Sequence, residues 1–143
     1  MYLYIWRAVY CSWPEECLKA VKPAVMNEIY CIYRNDIGIA FQWKRDIVKN
    51  NFGKLQIVFR DMGFYLSPDE VTDFYHCVKN ARQFERCAEC RHNREYRSIL
   101  LRTPADKVDL AVNIDELYQI EDLIEGTLFQ IKLDGYLNQI CDN

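Results

Sequence analysis

Histidine is nearly missing from this chain, with His76 and His92 the two in 143 residues. Proton-transfer catalysis is thereby short of the side chain it uses most. No glycine-rich phosphate loop, no Gly-x-Ser-x-Gly elbow and no His-Glu-x-x-His helix occurs, so the familiar nucleotide-binding, hydrolase and metalloprotease signatures are absent. Positive charge is not in excess either: 18 basic against 21 acidic residues leave a formal −3. That excludes a strongly basic, histone-like protein and leaves room for a local basic patch. Met1 to Trp13 is largely apolar, but falls short of the roughly 20 residues needed to span a bilayer. It also lacks the basic start and small-residue cleavage site of a secretory signal. No membrane partner is expected.

What is present is a core. Half of the residues are hydrophobic and 14% aromatic, enough for one ordinary domain and too much for wholesale disorder. The seven cysteines are odd in number and unevenly spaced, which argues against a closed disulfide framework. They read as reduced thiols, and the expected compartment is cytoplasmic.

One pattern occurs twice. Leu55 to Phe59 and Phe64 to Leu66 read as two strands around the turn Asp61-Met62-Gly63, with Gly63 expected to supply the permissive backbone. Ser67-Pro68-Asp69-Glu70 then carries an N-cap hydroxyl, a first-turn proline and a glutamate three residues on, and Val71, Phe74, Tyr75 and Val78 build one helix face. In the second copy Ile99 to Leu101 and Val108 to Val112 are strands, Asn113-Ile114-Asp115-Glu116 repeats the cap, and Leu117, Ile120, Ile124, Leu128 and Ile131 line a longer helix. Leu66, Ser67, Glu70, Val71, Phe74 and Val78 match Val112, Asn113, Glu116, Leu117, Ile120 and Ile124 at a constant offset of 46. A ββα unit cannot bury its own apolar face, so two copies are expected to share one core.

Ahead of the first copy, Glu28 to Tyr33 and Ile37 to Trp43 read as another hairpin turning at Asn35-Asp36, and the charged stretch Arg45 to Gly53 as a solvated loop. Residues 14–23 suit a short helix, and Met26 stands just before the first strand. The expectation is an optional N-terminal aromatic arm over 1–25 and a single α+β domain over 26–143, with repeat 1 about 54–80 and repeat 2 about 98–133. Its fold is an antiparallel sheet packed by two helices, built from an internally duplicated ββα unit, with an extra N-terminal hairpin and arm.

Cys87-Ala88-Glu89-Cys90 is the sharpest chemical motif. A Cys-x-x-Cys turn brings two thiolates to one zinc ion, with His92 and His76 as the nearest further ligands; a second paired element, which a tetrahedral site normally uses, is missing. Two ordinary thiols in a linker is therefore the favoured reading, with no cofactor and zinc as the one metal the spacing admits. Around this motif Lys79, Arg82, Arg86, Arg91, Arg94, Arg97 and Arg102 face only Glu85, Glu89 and Glu95. Residues 1–105 carry sixteen basic and twelve acidic side chains, residues 106–143 two and nine. Arginines 82, 86, 91, 94 and 97 form a patch for nucleic acid or for an acidic partner, or they pair with the acidic second helix itself. The carboxylates of that helix read most simply as a solvated face. Tyr2, Tyr4 and Trp6 would line one face of a strand and suit an interface.

At Gly63-Phe64-Tyr65-Leu66-Ser67-Pro68-Asp69-Glu70, and at Val108-Asp109-Leu110-Ala111-Val112 with Asp115-Glu116-Leu117, the chain resembles a family of small bacterial proteins classified only as a domain of unknown function. The likeness covers roughly residues 27–140. It implies a fold and carries no activity. Relatives in that family carry a Cys-x-x-Cys ahead of the first repeat, whereas here Cys31 is followed by Ile32, Tyr33 and Arg34, so that pair is incomplete. The expected function is a non-catalytic module acting through protein partners or as a homo-oligomer. The alternative is a zinc- or nucleic-acid-binding regulator using Cys87, Cys90 and the surrounding arginines.

Overall fold

The computed structural model describes residues 28–48, 53–84 and 95–141; the aromatic arm and the 14–23 helix expected from the sequence lie outside them. Four strands, β1 (Ile29–Arg34), β2 (Gly38–Trp43), β3 (Leu55–Phe59) and β4 (Met62–Leu66), form an antiparallel sheet in chain order. Asn35 makes the first turn, its side-chain oxygen accepting from the N–H groups of Ile37 (3.1 Å) and Gly38 (3.2 Å), as an Asx turn does. The register slips between Cys31 and Tyr33. This bulge lets the successive residues Ile32 and Tyr33 both join the main core, which strict strand alternation forbids.

The tight turn between β3 and β4 is Arg60-Asp61, and its left-handed residue is Arg60 (φ 52°). Gly63, expected to provide that freedom, sits inside β4 opposite Val58. Arginine tolerates a conformation that costs about 1–2 kcal/mol because its guanidinium is held by Glu116. The stretch after β2, expected as loop from Arg45, begins as a short helix, α1 (Lys44–Val48). There Arg45 lies 4.9 Å over the Trp43 ring.

Both ββα units are built as their caps and spacing imply. In the first, α2 (Pro68–Phe84) opens on a reciprocal capping box. The Ser67 N–H donates to the Glu70 carboxylate (2.7 Å) and the Glu70 N–H to the Ser67 hydroxyl (3.3 Å). In the second, β5 (Ile99–Arg102) and β6 (Asp109–Val112) lead into α3 (Ile114–Cys141). Asn113 and Glu116 exchange the same pair of bonds at 2.9 and 2.8 Å. The matched positions Leu66 and Val112, Val71 and Leu117, Phe74 and Ile120, Val78 and Ile124 are all buried in one cluster. Phe59, Phe64 and Phe74 stack within it at centroid separations of 5.5–6.2 Å.

The sheet differs from the expected single one. β5 and β6 form a separate two-stranded sheet, whose Leu101 and Val112 close the same core. β5 packs against α2 rather than extending the edge of the four-stranded sheet. The far face of that sheet carries a second cluster, Phe41, Trp43 and Val58. Among the described residues no helix is long and apolar enough to cross a membrane.

Candidate functional site: an apolar stripe on the C-terminal helix

The long helix α3 changes character along its 28 residues. Its first half is a core element: Leu117, Ile120, Leu123 and Ile124 are buried, and the buried Thr127 hydroxyl is satisfied by the Leu123 carbonyl at 2.6 Å. Two ion-pair clusters tie this half down. Glu116 uses one carboxylate oxygen for its capping bond and the other for Arg60 and for Arg97 (3.4 Å). Glu121, expected on a solvated face, is only 5% exposed. It is buried because α2 supplies two cations, Lys79 and Arg82 (2.7 Å), and a buried carboxylate is tolerated when paired and hydrogen-bonded. The hydrogen bond to Glu121, then one to Tyr75, raises the Lys79 pKa above the ordinary lysine value. Burial opposes the Arg82 charge, but Tyr118 and Glu121 outweigh it and raise that pKa too.

Hairpin β1–β2 holds the middle of the helix. The Asn35 side-chain N–H group donates to the Gln119 carbonyl (2.8 Å) and to Asp122 (2.9 Å). The Tyr33 hydroxyl donates to Asp122 at 3.2 Å. Its ring lies where a Cβ on Gly126 would stand. Burial, with the Asp122 carboxylate, pushes the Tyr33 phenol up. Further along, the Tyr30 hydroxyl donates to Asp134 (3.3 Å), and residues 135–141 are exposed on every side of the helix.

On this outer half Phe129 (65% exposed), Leu133 (37%), Tyr136 (62%), Leu137 (48%) and Ile140 (53%) face water. At 100° per residue all five fall within an arc of about 100°, on the side opposite the core residues Ile120, Ile124 and Ile131. Phe129, Leu133, Tyr136 and Ile140 recur at steps of four, three and four, the seam spacing of a coiled coil. From their exposure the stripe presents about 500 Å² of side-chain surface, at the upper end of what monomers normally leave open. The sequence expectations took the Leu117-to-Ile131 line as the helix's apolar face and missed this second one, although its spacing was there to read.

The expected site residues are placed only in part. Cys87, Cys90, His92, Arg86, Arg91, Arg94, Tyr2, Tyr4 and Trp6 lie outside the described residues. His76 is exposed on α2 beside the Tyr75 ring. Of the basic run, Arg82 and Arg97 both face carboxylates of α3, the pairing weighed as an alternative to nucleic acid. Burial pushes the Cys77 thiol up against the opposing pull of Arg102, so it is not an activated nucleophile. Among the described residues no group of three or more histidine, cysteine or acidic side chains is arranged to hold a metal. No buried side-chain polar atom among them lacks a partner.

The described chain is thus an α+β protein whose antiparallel strands pack against helices. Compared with family models, curated proteins and solved structures, it finds no match in any of the three.

Proposed function

We propose that this protein is a non-catalytic module that works through protein contacts, with α3 as its contact element. The observation that carries the reading is the Phe129, Leu133, Tyr136, Leu137 and Ile140 stripe. It is an apolar surface with two aromatic rings on an element anchored by the ion pairs of Glu116 and Glu121, and such patches mark interaction sites. The matched ββα units fit the same reading: a duplicated scaffold supplies the core, and the second copy's helix extends past it to Cys141. The engaged state of Arg82 and Arg97 favours protein contact over phosphate binding for this side of the protein.

The test is affinity capture with the full chain and with a Leu137→Glu/Ile140→Glu variant, both positions being exposed and outside the core. Capture of a protein by the wild type that the variant loses supports the reading. Equal capture by both, or no capture by either from a chain that is also monomeric in solution, refutes it.

A further inference from the structure

We infer that the partner for this stripe is a second copy of the same chain, paired with it antiparallel along residues 129–140. The inference rests on the protein-contact reading above and names its partner. Three observations carry it.

The first is register. If two α3 helices cross antiparallel about a point between Asp134 and Gly135, Phe129 of each meets Ile140 of the other and Leu133 meets Tyr136. Every seam position then sets an aromatic ring against a branched aliphatic side chain, the large-against-small alternation that interdigitated cores use. A two-fold interface requires this kind of self-complementarity, in which residue i meets j and j meets i. Parallel pairing would set ring on ring and branch on branch, with two globular bodies side by side. Antiparallel pairing sends the bodies to opposite ends, where residues 135–141, exposed on all sides, leave the approach open.

The second is charge. Residues 129–141 carry one base, Lys132, and one acid, Asp134, and Asp134 is already bonded to Tyr30 and Gln130. A neutral seam neither repels its own copy nor calls for a charged partner. The third is size. Two stripes of about 500 Å² each offer at most about 1,000 Å² of largely apolar surface to bury, and their polar flanks would bring the pair to the lower end of specific interfaces, about 1,200–2,000 Å². The stripe is bounded towards the body by Tyr33 lying on Gly126, so its length matches the proposed overlap.

The experiment uses sedimentation equilibrium on the full chain, with Leu133→Lys and Tyr136→Glu made separately and far-UV circular dichroism checking that each folds. The wild type is expected to be a dimer at tens of micromolar, with each variant at least tenfold weaker in self-association. An equimolar mixture of the two variants should recover dimer, because antiparallel pairing sets the lysine introduced in one chain against the glutamate introduced in the other across the seam. A wild type that stays monomeric at 100 µM, variants that dimerise like the wild type, or a mixture that does not recover would each overturn the inference. A monomeric chain whose stripe variants shed a different bound protein would overturn self-pairing and leave the contact reading standing. A monomeric chain with no partner to lose brings down both.

Discussion

Two glycines of α3 invite the same substitution and should answer with opposite signs. A Cβ built on Gly126 stands 2.4–2.6 Å from three atoms of the Tyr33 ring, whereas one built on Gly135 meets nothing within 4 Å. In an open helix interior, alanine is better than glycine by about 0.8–1 kcal/mol. At Gly135 that gain is unopposed, so Gly135→Ala should stabilise the protein by about 0.5–1 kcal/mol. At Gly126 the ring must retreat by about 1 Å to reach an ordinary carbon contact. Overpacking of this kind costs about 1–3 kcal/mol, and the retreat draws the Tyr33 hydroxyl from Asp122, a bond to a charged group worth about 1.5–3 kcal/mol when fully made and less at these lengths. Less the propensity gain, Gly126→Ala should destabilise by about 1–3 kcal/mol. Urea unfolding followed by circular dichroism reads both. Tyr33→Leu should remove most of the penalty, giving a coupling of about 1 kcal/mol between the two sites. A Gly126→Ala protein as stable as Gly135→Ala would refute the close packing of hairpin β1–β2 on α3.

Other consequences follow from the polar ties. Glu121→Gln should destabilise by about 1–2 kcal/mol in urea unfolding, less than a fully buried pair would lose, because Lys79 and Arg82 keep partial access to water; an unchanged midpoint contradicts the role given to this carboxylate. Asn35→Asp keeps the turn acceptor but turns the donor that reaches Gln119 and Asp122 into a second carboxylate. It should therefore cost more than Asn35→Ala above the carboxylate range and less below it, where the protonated acid keeps the turn acceptor that alanine lacks, as thermal melts across pH would report. The Ser67 backbone N–H, ahead of a smaller opposing effect of burial, holds the Glu70 carboxyl below its ordinary range. With the folded value depressed, the cap's contribution is complete above the unfolded carboxylate pKa and is lost as pH falls through the lowered folded one. A carboxyl chemical-shift titration placing Glu70 at or above the ordinary midpoint would contradict that cap.

Local features were the legible ones. Both capping boxes depend on residues three apart, the Asn35 turn on its own side chain, and the core faces of α2 and α3 on a helical period, so each could be read from neighbours alone. The misread features depend on distant partners. Glu121 sits on an acidic helix and is buried because Lys79 and Arg82 arrive from 42 and 39 residues away. Arg60 occupies a left-handed turn position that residue preference assigns to Gly63, and what holds it is Glu116 in the other unit. The separation of β5–β6 from the main sheet is likewise a matter of packing on α2, which strand patterning does not encode. The outer stripe is the instructive miss. Its spacing was local and readable, but an apolar line on each side of one helix looks, from sequence, like a broader core face.

Amide hydrogen exchange of residues 129–141 at two protein concentrations tests the central claim most directly. In an isolated chain residues 135–141 are exposed on every side and 129–134 are held only along one face, where Ile131 packs on the core, and exposed helix ends open readily. If the stripe is the seam between two copies, exchange there should slow at least tenfold between 1 µM and 200 µM, while the N-terminal half of α3, already buried, stays unchanged. Exchange in 129–141 as fast at 200 µM as at 1 µM would contradict the account.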